Sequence, residues 1–266
     1  MEWVHAIILG LIQGITEFLP VSSSAHLILV PFFSDWPDQG LAFDIAVHFG
    51  TLFAVMTYFK SELKAIIIEA LSAFKNSEKM TQTLLWKIGV ATLPAVIAGL
   101  LFHDVIATDL RTVNTIIFTT LVFGIALGVA HHIHRTRIYQ LNISNTYALI
   151  IGIAQAVALI PGTSRSGITL TAGLLIGMSH TLAARFSFLM SVPIIILAST
   201  YECFKLFKSP EYLDWPALTI GGLTSMLSAY LCIYLFLKLL SRIGLMPFVI
   251  YRVLLACYLI FLTWTN

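Results

Sequence analysis

Hydrophobic positions in this chain fall in long unbroken runs, without the short alternations and stripes of a soluble domain. Five or six runs are long enough to cross a bilayer, which takes about 20 apolar residues. They lie at about 41–59, 84–103, 112–134, 181–205, 215–240 and 246–265. Two further apolar segments, about 3–33 and 147–178, are interrupted near their middles. The first interruption is Leu19-Pro20-Val21-Ser22-Ser23-Ser24-Ala25-His26, and the second is Ile160-Pro161-Gly162-Thr163-Ser164-Arg165-Ser166-Gly167. Proline removes a backbone donor and disfavours helix in the residue before it. The hydroxyls that follow can cap a new helix. Each segment is therefore predicted as helix, loop, helix. At membrane depth such a loop survives only when buried in protein or lining a watery cavity, so both segments read as re-entrant hairpins. Residues 62–79 carry Lys64, Glu69, Lys75, Glu78 and Lys79 among apolar residues, and predict a helix lying along the interface.

Composition agrees with the pattern. Of 266 residues, 58% are hydrophobic and 11% charged, against about 25% charged in soluble domains. Mean hydropathy is +0.92. With no polar linker or low-complexity tract, the chain reads as a single all-α polytopic membrane domain over 1–266. A net charge of +2 gives no reason to expect a nucleic-acid partner. Cys203, Cys232 and Cys257 lie in apolar runs without metal-ligand spacing and read as lipid- or core-facing thiols. The N-terminus lacks a basic region and a small-residue cleavage site, so a signal peptide is not expected.

The positions of Lys and Arg predict orientation. If 41–59 is the first full crossing, its far side receives Lys60, Lys64, Lys75, Lys79, Lys87, Arg135, Arg137, Lys238 and Arg242. The near side receives Arg111, Lys205 and Lys208. The richer side is cytoplasmic by the positive-inside rule, which places both termini outside. Each half is then one hairpin followed by three spans, repeat 1 over about 1–138 and repeat 2 over about 139–266. An odd number of spans per half turns the second half over. That is an inverted-topology repeat whose broken helices meet near the midplane.

The two interruptions carry the polar chemistry. Gln13 and Glu17 are four residues apart and share a helix face. A carboxylate inside an apolar segment is costly and usually faces a cavity. Arg165 stands between Ser164 and Ser166 after Pro161-Gly162, where glycine allows close backbone approach and the amides of the following helix can bind an anion. Its guanidinium can grip phosphate oxygens in pairs. His26, three residues after Ser23, could accept or pass a proton. Pooled in one place, an acid, an imidazole, a guanidinium and hydroxyls suit a bound phosphate. Asp44 and His48 form another i, i+4 pair of weaker promise, and Arg185 and Arg252 read as snorkelling or structurally paired, though Arg252 after Tyr251 could line the cavity. No Walker motif, zinc-ligand triplet or nucleophile elbow is present.

These motifs resemble the undecaprenyl-pyrophosphate phosphatases, the bacitracin-resistance protein family. The family's first motif, Glu or Gln, three residues, then Glu, is matched by Gln13-Gly14-Ile15-Thr16-Glu17, followed by Phe18-Leu19-Pro20-Val21-Ser22-Ser23. Its second, Pro-Gly-x-Ser-Arg-Ser-x-x-Thr, is matched at Pro161, Gly162, Ser164, Arg165, Ser166 and Thr169. Weaker similarity runs through Asp44 to Thr51, Leu93-Pro94-Ala95, Phe186-Ser187-Phe188-Leu189 and Ile250-Tyr251-Arg252, so the resemblance covers the whole chain. Gln13 replaces a common Glu, Ser24 a common Thr and Ala25 a common Gly. An amide cannot act as a base, which shifts proton transfer onto Glu17 and His26.

The resemblance implies hydrolysis of a polyprenyl diphosphate to the monophosphate carrier plus phosphate, in the bacterial plasma membrane and open to its outer face. On this reading Ser23 is the nucleophile, Glu17 or His26 takes its proton, and Arg165 with the amides after Pro161 holds the phosphoryl group. Gln13, Ser22, Ser24, Gly162, Ser164, Ser166 and Thr169 would bind or position the substrate. Attack by water with His26 as base is the alternative mechanism. No dedicated metal cage is evident, so Mg²⁺ or Ca²⁺ would enter with the diphosphate. Membrane lipids are expected partners, and the oligomeric state, a homo-oligomer included, is left open. The architecture alone favours a flippase or secondary transporter, the competing function class, and the Ser-Arg-Ser motif with the family resemblance reverses that order.

Overall fold

Proline and serine break the two apolar segments where the sequence places the breaks. The computed structural model of the chain describes residues 1–34, 36–134, 143–208 and 213–265. Helices α1 (Trp3–Phe18) and α2 (Ser23–Ser34) form the first hairpin. Helix α3 (Leu41–Tyr58) crosses, and α4 (Lys60–Ala73) and α5 (Ser77–Met80) follow it. Then come α6 (Leu84–Thr108) and α7 (Val113–His134). The second half opens with the hairpin α8 (Asn145–Val157) and α9 (Arg165–Leu175) and continues with α10 (His180–Lys208), α11 (Trp215–Ile243) and α12 (Met246–Thr265). Among the described residues, α3, α6, α7, α10, α11 and α12 are long and apolar enough to cross a membrane, at the six places the hydropathy predicts. The chain is an all-α, multi-pass membrane protein.

Two details differ from expectation. Helix α6 runs past 103 to Thr108, bending at Phe102, where φ is −114° and ψ is 15°. The interfacial segment is two helices, because the Asn76 side chain accepts the Lys79 N–H at 3.1 Å and starts α5 afresh. Lysines on α4 and α5 and the end of α11 carry most of the described charge on the side read as cytoplasmic, while Arg135 and Arg137 lie outside the described residues. Arg185, at the start of α10, pairs with Glu62 of α4 and so anchors the interfacial helix to the bundle.

Packing repeats along with element order. Helix α1 lies against α11, and α8 lies against α6; α3 pairs with α10, and α7 with α12. Exchanging the halves maps the α1–α11 contact onto α8–α6 and the α3–α10 and α7–α12 contacts each onto itself, as a pseudo-two-fold axis requires. The register of the exchange is 142 residues: Gly10 and Gly152, Gln13 and Gln155, Ser22 and Ser164, Ser24 and Ser166. A Cβ on Gly10 would sit 2.6 Å from the Gly221 oxygen of α11, and one on Gly152 2.5 Å from the Ala91 oxygen of α6. Small residues let membrane helices approach this closely, where dispersion rather than hydrophobic exclusion drives association. The element order fits an inverted repeat, since three spans separate the two hairpins. Between the halves a ladder of rings, Phe18 on Phe188 at 5.1 Å and Phe188 on Phe236 at 5.7 Å, fills the core beneath the two breaks.

Candidate active site

Both breaks fold the same way. Ser22 precedes α2 with φ 74°, and Ser164 precedes α9 with φ 72°. Among the described residues no other non-glycine has positive φ. Each serine turns its hydroxyl onto the helix it opens, Ser22 Oγ accepting the Ala25 N–H at 3.4 Å and Ser164 Oγ accepting the Gly167 N–H at 3.1 Å. Left-handed backbone at a β-carbon-bearing residue costs about 1–3 kcal/mol and survives where surrounding contacts over-determine it. Gly162, at φ 87°, takes the one sharper bend, and a Cβ there would meet the Thr119 hydroxyl at 2.2 Å. Ser166 sews the two loops together, its hydroxyl donating to the Leu19 carbonyl at 2.7 Å, and Thr119 of α7 holds the second loop by donating to the Pro161 carbonyl at 2.7 Å.

This frame brings three side chains onto one carboxylate. Glu17, in the last turn of α1, accepts the Ser23 O–H on Oε2 at 2.6 Å. The same oxygen accepts the Gln13 amide N–H at 3.1 Å. Its other oxygen accepts an Arg165 N–H at 3.2 Å. Arg165 also donates to the Ser187 carbonyl at 2.8 Å, which leaves three of its five N–H donors for another ligand. The Glu17–Arg165 pair is largely buried, with side chains 8% and 13% exposed. His48 stands 3.9 Å from the same carboxylate, its other ring nitrogen held by the Asp44 carbonyl at 2.7 Å.

Glu17, Ser23 and Arg165 open onto a chamber of about 360 Å³, lined also by Ser22, Ser24 and Ser164. Helix α3 adds Asp44 and His48, helix α10 adds Ser199 and Glu202, and Arg111 closes one side. The chamber continues into an apolar gallery of about 350 Å³ between α2, α6 and α10, bordered by Leu27, Ile28, Val96, Leu100, Leu197 and Tyr201. Ser24, Asp44, His48, Arg111 and Glu202 line both. Among the described residues, no group of three or more His, Cys, Asp or Glu side chains is arranged to hold a metal ion.

Other sequence-predicted residues lie behind this surface. His26 does not line the chamber. Its Nδ1 meets the Ser22 carbonyl at 2.7 Å and its Nε2 the Tyr251 hydroxyl at 2.6 Å, so both ring nitrogens are engaged. Thr169 is buried and bonds Ser187 Oγ at 2.7 Å and the Arg165 carbonyl at 2.8 Å, bracing the arginine from below. Ser166 holds loop to loop, the Gly162 carbonyl accepts from Arg252 of α12, and Gln13 reaches the site only through Glu17. Sequence reasoning kept His48 and Asp44 only as a weaker pair and did not place Arg111, Ser199, Glu202 or Ser187 at the site. The i, i+4 spacing of Asp44 and His48 was the one signal that pointed to any of them.

The fold and site together define a multi-pass membrane protein in which two broken hairpins meet to build a buried serine–glutamate–arginine centre beside an apolar gallery. The chain belongs to the bacitracin resistance protein BacA family, whose profile matches residues 6–258. A protein of Campylobacter concisus named undecaprenyl-diphosphatase is 50% identical over 263 residues, covering 98% of this chain and 99% of that one. Its namesake in Thioalkalivibrio sulfidiphilus is 48% identical over 266 residues, covering 99% and 100%. Undecaprenyl-diphosphatase 1 of Pseudoalteromonas translucida is 51% identical over 267 residues, again covering 99% and 100%.

Proposed function

We propose that this chain is an integral membrane phosphatase that hydrolyses undecaprenyl diphosphate to the monophosphate carrier lipid and phosphate, recycling the carrier for cell-wall synthesis. The observation that carries the reading is Ser23 Oγ at 2.6 Å from Glu17, with Arg165 on the opposite carboxylate oxygen, in a chamber that runs into an apolar gallery. A polyprenyl diphosphate has the matching shape, an anionic head on an apolar chain. The near-complete match to relatives named undecaprenyl-diphosphatase supports that substrate, and none of the relatives cited carries a transport name.

In the first step Ser23 Oγ bonds to the terminal phosphorus and its proton passes to Glu17 Oε2. The bond from that phosphorus to the bridging oxygen breaks, and its electron pair leaves on the polyprenyl monophosphate, which takes the proton from Glu17. In the second step water attacks the phosphoserine, gives a proton to Glu17, and the serine oxygen recovers it as phosphate departs. The three remaining N–H donors of Arg165 and the amides opening α9 hold the transferred group, chemistry that depends on positioning and charge stabilisation. In the water-attack alternative the base is Glu17 or His48, which both line the chamber and lie 3.9 Å apart, in place of His26, which does not line it. The chamber lining carries three carboxylates, Glu17, Asp44 and Glu202, against two guanidiniums, Arg111 and Arg165. A diphosphate would enter with net repulsion, so Mg²⁺ or Ca²⁺ is expected to arrive on it and neutralise its charge. Orientation follows from the lysine and arginine distribution, with chamber and termini on the outer side of the bacterial plasma membrane.

The deciding experiment is phosphate release from undecaprenyl diphosphate by purified protein in detergent. Turnover there supports a phosphatase, since a flippase needs a sealed bilayer. Chelation should abolish turnover and Mg²⁺ or Ca²⁺ should restore it. Absence of phosphate release with cation present would overturn the reading.

A further inference from the structure

Arg252 of α12 is the largest fully buried side chain among the described residues, at 0% exposure, and the mechanism above does not use it. Its five hydrogen bonds all go to backbone carbonyls, and no acidic side chain pairs with it among the described residues. Nη1 donates to the Pro20 carbonyl at 3.3 Å and the Thr163 carbonyl at 3.0 Å. Nη2 donates to Gly162 at 2.9 Å and Thr119 at 3.3 Å, and Nε to Thr120 at 3.2 Å. One guanidinium thus holds the first loop, the second loop and α7. Its neighbour Tyr251 holds His26 of α2 by the 2.6 Å contact already described. A buried charge without a carboxylate is expensive, and five carbonyl dipoles offset it only in this one arrangement.

We propose that Arg252 is a positioning residue for the reaction, a clip that sets the register of the Ser23 loop against the Arg165 loop. The argument rests on the phosphatase reading for its kinetic part only. Carbonyl and N–H point in opposite directions across a trans peptide. Holding the Thr163 carbonyl therefore turns the Ser164 N–H away from Arg252 and fixes the peptide leading into the strained Ser164. The Pro20 carbonyl is held likewise, two residues before the strained Ser22. Without the clip each loop keeps its own cap, but the distance between Ser23 and Arg165 is no longer set by a shared anchor. A misplacement of about 1 Å in a reacting group can cost about a hundredfold in rate.

The test compares wild type with Arg252→Lys, which keeps the charge but has three donors in place of the fork, and with Gly124→Ala. A Cβ on Gly124 would lie 3.0 Å from Arg252 Cβ and 3.3 Å from its Nε, so that variant pushes the clip without touching either loop. Phosphate release should show kcat falling by about ten- to hundredfold in Arg252→Lys with KM within about threefold, and a smaller fall of the same kind in Gly124→Ala. Hydrogen exchange should show amides of 19–26 and 160–168 speeding up together in both variants while those of α11 do not change. Full kcat with unchanged exchange in both variants would overturn the clip, as would faster exchange across the whole protein. A wild type that releases no phosphate would sink the phosphatase reading instead, and the exchange result would still decide the clip.

Discussion

In the proposed mechanism Glu17 is where chemistry and stability meet. Its two oxygens divide the work, Oε2 facing the Ser23 hydroxyl and Oε1 facing Arg165. Glu17→Gln should remove nearly all turnover because an amide takes no proton. It also leaves a largely buried guanidinium without its counter-charge. Removing one partner of a buried pair costs about 3–5 kcal/mol, and the retained amide places this case near the lower end, visible as a lower thermal midpoint in detergent. A variant with normal rate would reassign Glu17 to packing. Arg165→Lys should lose about ten- to hundredfold in kcat/KM, since lysine keeps a charge but cannot hold Glu17, the Ser187 carbonyl and phosphate oxygens at once. Near-normal kcat/KM there would mean that the site needs only positive potential. The motif residues Glu17, Ser23 and Arg165 could be picked out from the sequence because charge and hydroxyls are conspicuous in an apolar segment. The same logic of proximity reads His26 into the site, whereas its ring nitrogens meet the Ser22 carbonyl and the Tyr251 hydroxyl. Three residues along a helix is nearly one turn, and the ring points to Tyr251, on a helix far away in sequence. From sequence alone Arg252 reads as snorkelling, structurally paired or lining the cavity, because the carbonyls it binds belong to three other segments.

At the level of elements, the sequence places both broken hairpins and all six crossings correctly, since run length and proline decide them locally. Their pairing was not legible, because it depends on small residues whose partners are distant in sequence. Counting from the prolines also hides the repeat: Gln13 lies seven residues before Pro20 and Gln155 six before Pro161. Counted from the capping serines, the two glutamines and the two close-contact glycines fall in register. That register gives a prediction. Gly152→Val should force α8 away from the Ala91 carbonyl of α6 and break the 3.3 Å bond from Gln155 to the same carbonyl. Overpacking of this kind costs about 1–3 kcal/mol. Gly89→Ala is the control on α6, with nothing within 4 Å of the added carbon, and should be neutral or gain up to about 1 kcal/mol in helix propensity. Thermal unfolding of the two variants in one detergent checks the contrast; equal midpoints would mean that the α6–α8 contact does not limit stability.

For the molecule as a whole, the account joins a serine–glutamate–arginine centre to an apolar gallery and makes the two halves of the repeat supply different parts. In the proposed mechanism the first half gives the nucleophile and the base, and the second gives the guanidinium. If Ser23 attacks phosphorus, a phosphoserine must form, and Ser23→Ala should lose about three orders of magnitude or more in kcat with little change in substrate binding. If water attacks, the alanine variant loses only one hydrogen bond, about 0.5–1.5 kcal/mol, or about tenfold at most. The most direct measurement is a rapid acid quench of the purified protein turning over undecaprenyl diphosphate labelled in its terminal phosphate, with Ser23→Ala alongside. The account predicts labelled phosphate covalently attached at Ser23 in the wild type, none in the variant, and a collapse of phosphate release in that variant. A Ser23→Ala protein within about tenfold of wild type, with no label trapped in either, would contradict it and assign the attack to water.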